Sequence, residues 1–168
     1  MHLLSYRIAA LGLIALAASG CQADPKPAEP PTLGQIADSI GRGVANQGCA
    51  EIAAGAQDSL TSAGHRPAVA CRWRSADTTT VILRQADSTV MSIVRIWAPL
   101  NLVGEYQETA ARLDRTWGPG QGCPANNRGN VQGDRFYAHD SVSVRIYVQL
   151  PNALVVDYEL APGSCRPA

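Results

Sequence analysis

Apolar residues recur along this chain at three different intervals, and each interval predicts a different kind of element. Between Ile8 and Ala18 they run without a break, "IAALGLIALAA". Between Leu33 and Leu60 they return every three or four residues, first as Leu33, Ile36, Ile40 and Val44, then as Ile52, Ala53, Ala56 and Leu60. That spacing predicts helices over 33–47 and 50–61. Thr32 is placed to cap the first, and Gly64 ends the region. Gly34, Gly41 and Gly43 lower the intrinsic helicity, so packing has to hold these helices together.

From residue 68 the interval becomes two. "AVACRW" puts Val69, Cys71 and Trp73 on one side, with Arg72 and Arg74 on the other. "TTTVILR" and "TVMSIVRIW" are rich in β-branched residues and flank the turn-like "QADS" of Gln85 to Ser88, which predicts a hairpin. "NLVGEYQETAARLDRTW", residues 101–117, is the clearest helix. Leu102, Val103, Tyr106, Ala110, Leu113 and Trp117 form its apolar stripe. Glu105, Glu108, Arg112 and Arg115 take the other side, with Glu108 and Arg112 in the favourable i,i+4 order. Asn101 can cap its start, and Gly118 with Pro119 stops it.

Two further strands alternate cleanly. "SVSVRIYVQL" places Val142, Val144, Ile146, Val148 and Leu150 against Ser141, Ser143, Arg145, Tyr147 and Gln149; "LVVDYEL" does the same with Leu154, Val156, Tyr158 and Leu160. "PN" at 151 and 152 marks the turn between them. Alternation of this kind buries one sheet face and wets the other. The order α, β, β, β, α, β, β predicts one α+β domain over 32–168, two-layered, an antiparallel β-sheet with helices packed on one face. No internal repeat stands out. Residues 118–133, "GPGQGCPANNRGNVQG", make a long connection of the kind that is often functional or mobile.

The unbroken run near the start means something else. Its 11 residues cannot span a bilayer, which takes about 20. A basic Arg7, a short apolar core and small residues at the end predict a secretory signal over 1–20. Ala18, Ser19 and Gly20 lead directly into Cys21, and this resembles the lipobox of bacterial lipoproteins, with Ala18 where leucine is usual. The resemblance covers residues 1–22 and implies that Cys21 carries the acyl chains, palmitate among them. Each buried CH₂ of such chains contributes about 0.8 kcal/mol to anchoring. Gln22 follows the cysteine. In lipoproteins of Gram-negative bacteria an aspartate there favours the inner membrane, so the resemblance implies the outer membrane, facing the periplasm. Pro25, Pro27, Pro30 and Pro31 then make 21–31 an extended tether reaching about 30 Å.

Charge narrows the picture. The chain has 14 basic and 14 acidic residues, and loss of Arg7 with the signal leaves 13 against 14. That near balance gives no basic footprint for nucleic acid. Besides Cys21 there are four cysteines, and in an exported domain they most simply form two disulfides. Cys49 with Cys71 and Cys123 with Cys165 is the favoured pairing, because each joins segments expected in adjacent elements. A metal site is disfavoured, since no two cysteines have Cys-x-x-Cys spacing and the mature chain offers only His65 and His139. No cofactor is expected.

Catalytic motifs are absent: there is no Gly-x-Ser-x-Gly elbow, no phosphate-binding glycine loop and no His-Glu-x-x-His. "HDS", residues 139–141, reads as a polar turn, His65 as a solvated loop histidine, and Asp134 and Asp140 as surface acids. The arginines are more informative. Arg72, Arg74, Arg95 and Arg145 are expected to point away from the apolar face, together with Trp97 and Tyr147, and Arg84 can join them. Arginine among exposed aromatics is the composition of a protein-binding surface; a solvated face with arginines paired to Asp157 and Glu159 is the plainer alternative. If the face binds, Arg95→Glu with Arg145→Glu should abolish binding at a nearly unchanged melting temperature.

Taken together, the sequence predicts a membrane-anchored envelope lipoprotein that is not an enzyme. It would bind another envelope or periplasmic protein, as periplasmic inhibitors, immunity proteins and assembly accessories do. The alternatives are a cell-envelope hydrolase, or a small-ligand binder with Tyr106, Trp117 and Trp73 lining a pocket.

Overall fold

The computed structural model describes residues 29–41, 46–60, 64–75, 77–123, 131–160 and Cys165. The signal and most of the tether lie outside these residues. Helices α1 (Leu33–Gly41), α2 (Ala54–Ser59) and α3 (Leu102–Trp117) accompany eight strands. The strands are β1 (Asn46–Glu51), β2 (Val69–Ser75), β3 (Thr78–Arg84), β4 (Val90–Trp97), β5 (Gln121–Gly122), β6 (Val131–His139), β7 (Val142–Gln149) and β8 (Ala153–Leu160). All eight form one antiparallel sheet in the order β1-β2-β3-β4-β8-β7-β6-β5.

That order reads the same from either end when each strand of the first four is exchanged for the one four later. Each half is a helix followed by four strands, and α2 is the one added piece. The repeat is mainly one of topology; in sequence it shows only as Gln47-Gly48-Cys49 in β1 and Gln121-Gly122-Cys123 at β5, too short a match to stand out. The strands of the two halves pair with one another only where β4 meets β8, from Ser92↔Glu159 to Trp97↔Leu154.

Three strands were not foreseen. β1 takes "NQGCAE", where a helical interval was expected to continue. The helix expected over 33–47 ends in Gly41, and the second is the short α2. Glycines at 41 and 48 break the run, and Gly48 takes a φ of 129°, which a side chain would resist. β5 and the first three residues of β6 come from the segment read as a linker. Their alternation is hidden by the bulge between Gln132 and Arg135, where Gly133 has a φ of 65°.

The core forms two apolar clusters. Leu33 and Ala37 of α1 gather Cys71, Trp73, Ile82, Val90, Ile93 and Val142. Ala110 and Leu113 of α3 gather Trp97, Tyr137, Val144, Ile146, Leu154 and Val156. Trp117 and Tyr158 pack against both. At α1, Thr32 Oγ1 accepts from the Gln35 N–H at 3.3 Å and Gln35 Oε1 accepts from the Thr32 N–H at 2.8 Å, a reciprocal cap. At α3, Asn101 Oδ1 accepts from the Gly104 N–H at 3.1 Å.

Both disulfides take the favoured pairing. Cys49 and Cys71 are direct register partners on β1 and β2. Cys123, just past β5, joins Cys165 beyond β8. The bridged cysteines are 22 and 42 residues apart in sequence. Loops of that size restrict the unfolded chain by about 3–4 kcal/mol each on the chain-entropy argument. Replacing Cys49 and Cys71 together by serine should therefore lower the unfolding free energy by about 3 kcal/mol, read from the midpoint of a urea titration. An unchanged midpoint would show that this staple carries no stability.

Candidate binding site at the corner of β4 and α3

Register sorts the arginines onto two faces. Ile82, Ile93 and Tyr158 are lateral neighbours, as are Thr80, Arg95, Val156 and Ile146. Arg95 and Trp97 therefore share the face of the apolar clusters. Arg145 is instead aligned with Asp157 and Val94, on the opposite face with Tyr147. Arg72 and Arg74 lie on that second face and are exposed. The expected six-residue patch is thus divided: Arg72, Arg74, Arg145 and Tyr147 on one side, Arg95 and Trp97 on the other. Arg84 falls on the second pair's side and donates to the Ser88 carbonyl at 3.1 Å. The parity of β4 misleads because both of its faces are apolar, Ile93 and Trp97 on one and Val94 and Ile96 on the other. A register shift also buries Val90 and Met91 side by side.

On the Arg145 face, the arginine does not pair with Asp157 or Glu159. Its guanidinium forms a two-pronged ion pair with Asp134, Nε to Oδ1 at 3.3 Å and Nη2 to Oδ2. It also lies 5.7 Å from the Tyr147 ring centroid. Asp134 is buried at 8% exposure, so it is not the surface acid expected from sequence. Gly133 holds this bend open, and Tyr106 closes over it with its hydroxyl donating to the Gly133 carbonyl.

Asp157 is left without a direct partner for one oxygen. Its Oδ1 is shut off from solvent and takes no hydrogen bond. Burial, reinforced by Glu159, pushes this carboxyl up to about 7, with Arg145 and the Ser92 hydroxyl opposing. A group raised in this way holds its proton in the folded state at pH values where the unfolded chain has lost it. Its contribution to stability is present below the ordinary carboxylate range and is lost as pH rises toward 7.

The other side of the sheet opens into a cleft of about 680 Å³ between β3–β4 and α3. Thr78, Arg95 and Trp97 form its strand wall, and Glu105, Glu108 and Arg112 its helix wall. Asp77, Pro99, Leu100, Asn101 and Gly104 complete it. The Arg95 Cζ lies 5.8 Å from the Trp97 ring centroid, and its buried Nε has no hydrogen-bond partner. Arg112 bonds Thr109 Oγ1 at 3.4 Å. Among the described residues neither arginine is within ion-pairing distance of an acid, so the i,i+4 pair expected between Glu108 and Arg112 does not form. Leu100, on the lining of the cleft, is fully exposed, and Val103, in the first turn of α3, is 68% exposed. Val103 was expected on the apolar stripe of α3 but does not join the apolar cluster that the helix packs against.

Tyr106, Trp117 and Trp73 do not line the cleft; they pack in or against the core clusters. Asp140, with a φ of 51°, and Ser141 make the β6–β7 turn, and His139 pairs with Asp140 at 3.4 Å, a hairpin tip. His65 is half-buried and hydrogen-bonded to Gln85 Nε2 at 2.7 Å, so it is not a solvated side chain. Among the described residues, no group of three or more His, Cys, Asp or Glu side chains is placed to hold a metal ion, and no helix is long and apolar enough to cross a membrane. No family model, curated protein or solved structure matches the chain.

Two outcomes follow from the second face. Arg145→Glu strands the buried Asp134 and should cost about 3 kcal/mol or more, whereas Arg72→Glu with Arg74→Glu should stay within about 0.5 kcal/mol; thermal unfolding compares them. Asp157→Asn should raise the melting temperature at pH 8 and leave it unchanged at pH 4. A variant equally stabilised at both would show that ionisation of Asp157 does not matter.

Proposed function

We propose that this chain is a lipid-anchored protein of a bacterial envelope, held through acylated Cys21 and acting by binding another envelope or periplasmic protein. The carrying observation is the corner of β4 and α3. Leu100 and Val103 are presented to solvent beside a polar cleft, on a sheet stapled by two disulfides. Large apolar side chains offered from a rigid frame, with a cation stacked on an indole beside them, have the make-up of an interface anchor. We further infer that α1 and α3 lie together on the face of Ile82, Ile93 and Val156, which leaves Arg72 and Arg74 as a second, subordinate contact surface. The signal, the cysteine at its end and the proline tether support the envelope location and the outer-membrane side.

The cleft volume also suits a small ligand, and that is the second reading.

In cells, a photo-crosslinking residue at position 100 of the full chain should give one dominant adduct. Leu100→Asp with Val103→Asp should weaken capture of that partner at least tenfold, while the melting temperature holds. Cys21→Ser should lose palmitate labelling and leave the membrane fraction. Labelling retained in Cys21→Ser would overturn the anchor, and absence of an adduct would overturn the partner.

A further inference from the structure

We propose that the cleft between β3–β4 and α3 is the socket for an acidic side chain of the protein partner, with Arg95 as the residue that receives the carboxylate. This rests on the protein-binding reading above and assigns the partner's chemistry.

Four observations converge on Arg95. It projects from the central region of the sheet, between Thr80 and Val156, on the face where its neighbours are apolar. Its Nε is closed off from water, yet has no hydrogen-bond partner. Its guanidinium lies over Trp97, which restrains it and favours its charge. It lines an open cleft instead of being sealed beneath packing. A buried donor on a cation is costly to leave unmade, more so than a neutral one. Native proteins rarely tolerate this without a role for the group. The guanidinium fork matches a carboxylate in shape and charge, and the bond it makes is of the strong, charge-assisted kind.

The rest of the cleft shapes the occupant. Asp77, Glu105 and Glu108 line the cleft beside Arg95 and Arg112, with Asp77 and Glu108 exposed; these carboxylates repel any anion not seated on Arg95, so one carboxylate is taken. Leu100 lines the cleft and is fully exposed, and Val103 is exposed next in sequence to Gly104, which also lines it; they supply apolar contact for residues flanking the carboxylate. The occupant is therefore an acidic residue between apolar ones on a protein segment.

The intact mature protein is titrated with two blocked peptides, acetyl-Leu-Glu-Leu-amide and acetyl-Leu-Gln-Leu-amide, and with acetate. The Arg95 Nε–H and Trp97 indole N–H resonances report occupancy. The glutamate peptide should bind at least tenfold more tightly than the glutamine peptide and than acetate, shifting both resonances. Arg95→Met should abolish that preference with an equal or higher melting temperature, since it removes an unpaired cation; Arg112→Gln should keep the preference. Equal affinity for both peptides, acetate binding as tight as the peptide, or a collapse of folding in Arg95→Met would each overturn the inference. Failure of the parent reading looks different. A crosslinked partner that binds Arg95→Met as tightly as the native chain overturns the socket and keeps the partner, whereas absence of any adduct removes the partner and leaves the peptide comparison to decide the socket.

Discussion

Everything in this molecule hangs on one ladder, the pairing of β4 with β8. The first four strands are antiparallel neighbours in chain order, and so are the last four. Only the six register pairs from Ser92↔Glu159 to Trp97↔Leu154 join the two sets as a ladder. The partners are 57 to 67 residues apart, so loop closure is entropically costly until the side chains on the ladder repay it. They do so by burial. Ile93 and Leu154 are completely enclosed and Val155 nearly so. Tyr158 belongs to the packing of both helices, which makes the two cores one.

The same ladder carries the two buried polar atoms without partners found among the described residues, Arg95 Nε on one face and Asp157 Oδ1 on the other. Both are ionisable groups placed where strand packing is tightest, and physics answers the two differently. The carboxyl can become neutral by holding its proton, which is why it titrates near 7. An arginine has no such escape, because its guanidinium keeps its charge throughout the accessible pH range. Among the described residues, the group found against its guanidinium is the Trp97 ring.

Much of this was legible beforehand where period and chemistry agreed. Helix α3, strands β7 and β8, the outward Arg72 and Arg74, and the disulfide pairing all follow from clean alternation, a marked cap or plausible adjacency. The misreadings share one cause. β4 is apolar on both faces, so parity alone cannot orient Arg95 and Trp97; their side is decided by β3 and β8, which are long-range neighbours. Asp134 looked like a surface acid because its partner lies 11 residues away across a bulge. β1 and β6 were hidden by glycines whose φ values no side chain readily adopts. The cleft was invisible for a further reason, since it is built from the strand end of one half and the helix of the other.

The two edges of the sheet also explain where the cysteines fall. An open edge offers a row of unpaired amide and carbonyl groups to any passing strand, and crowding on a surface makes such meetings frequent. Here one edge, β1, carries a register irregularity beside Gly48 and is bolted to its neighbour at Cys49–Cys71. The other, β5, is two residues long and followed at once by the Cys123 bridge. The stapled, bent margin of β1 is poorly suited to template a ninth strand. At the other margin β5 covers only two positions of β6, so backbone pairing between copies of the chain is hindered on one side and left to β6 on the other.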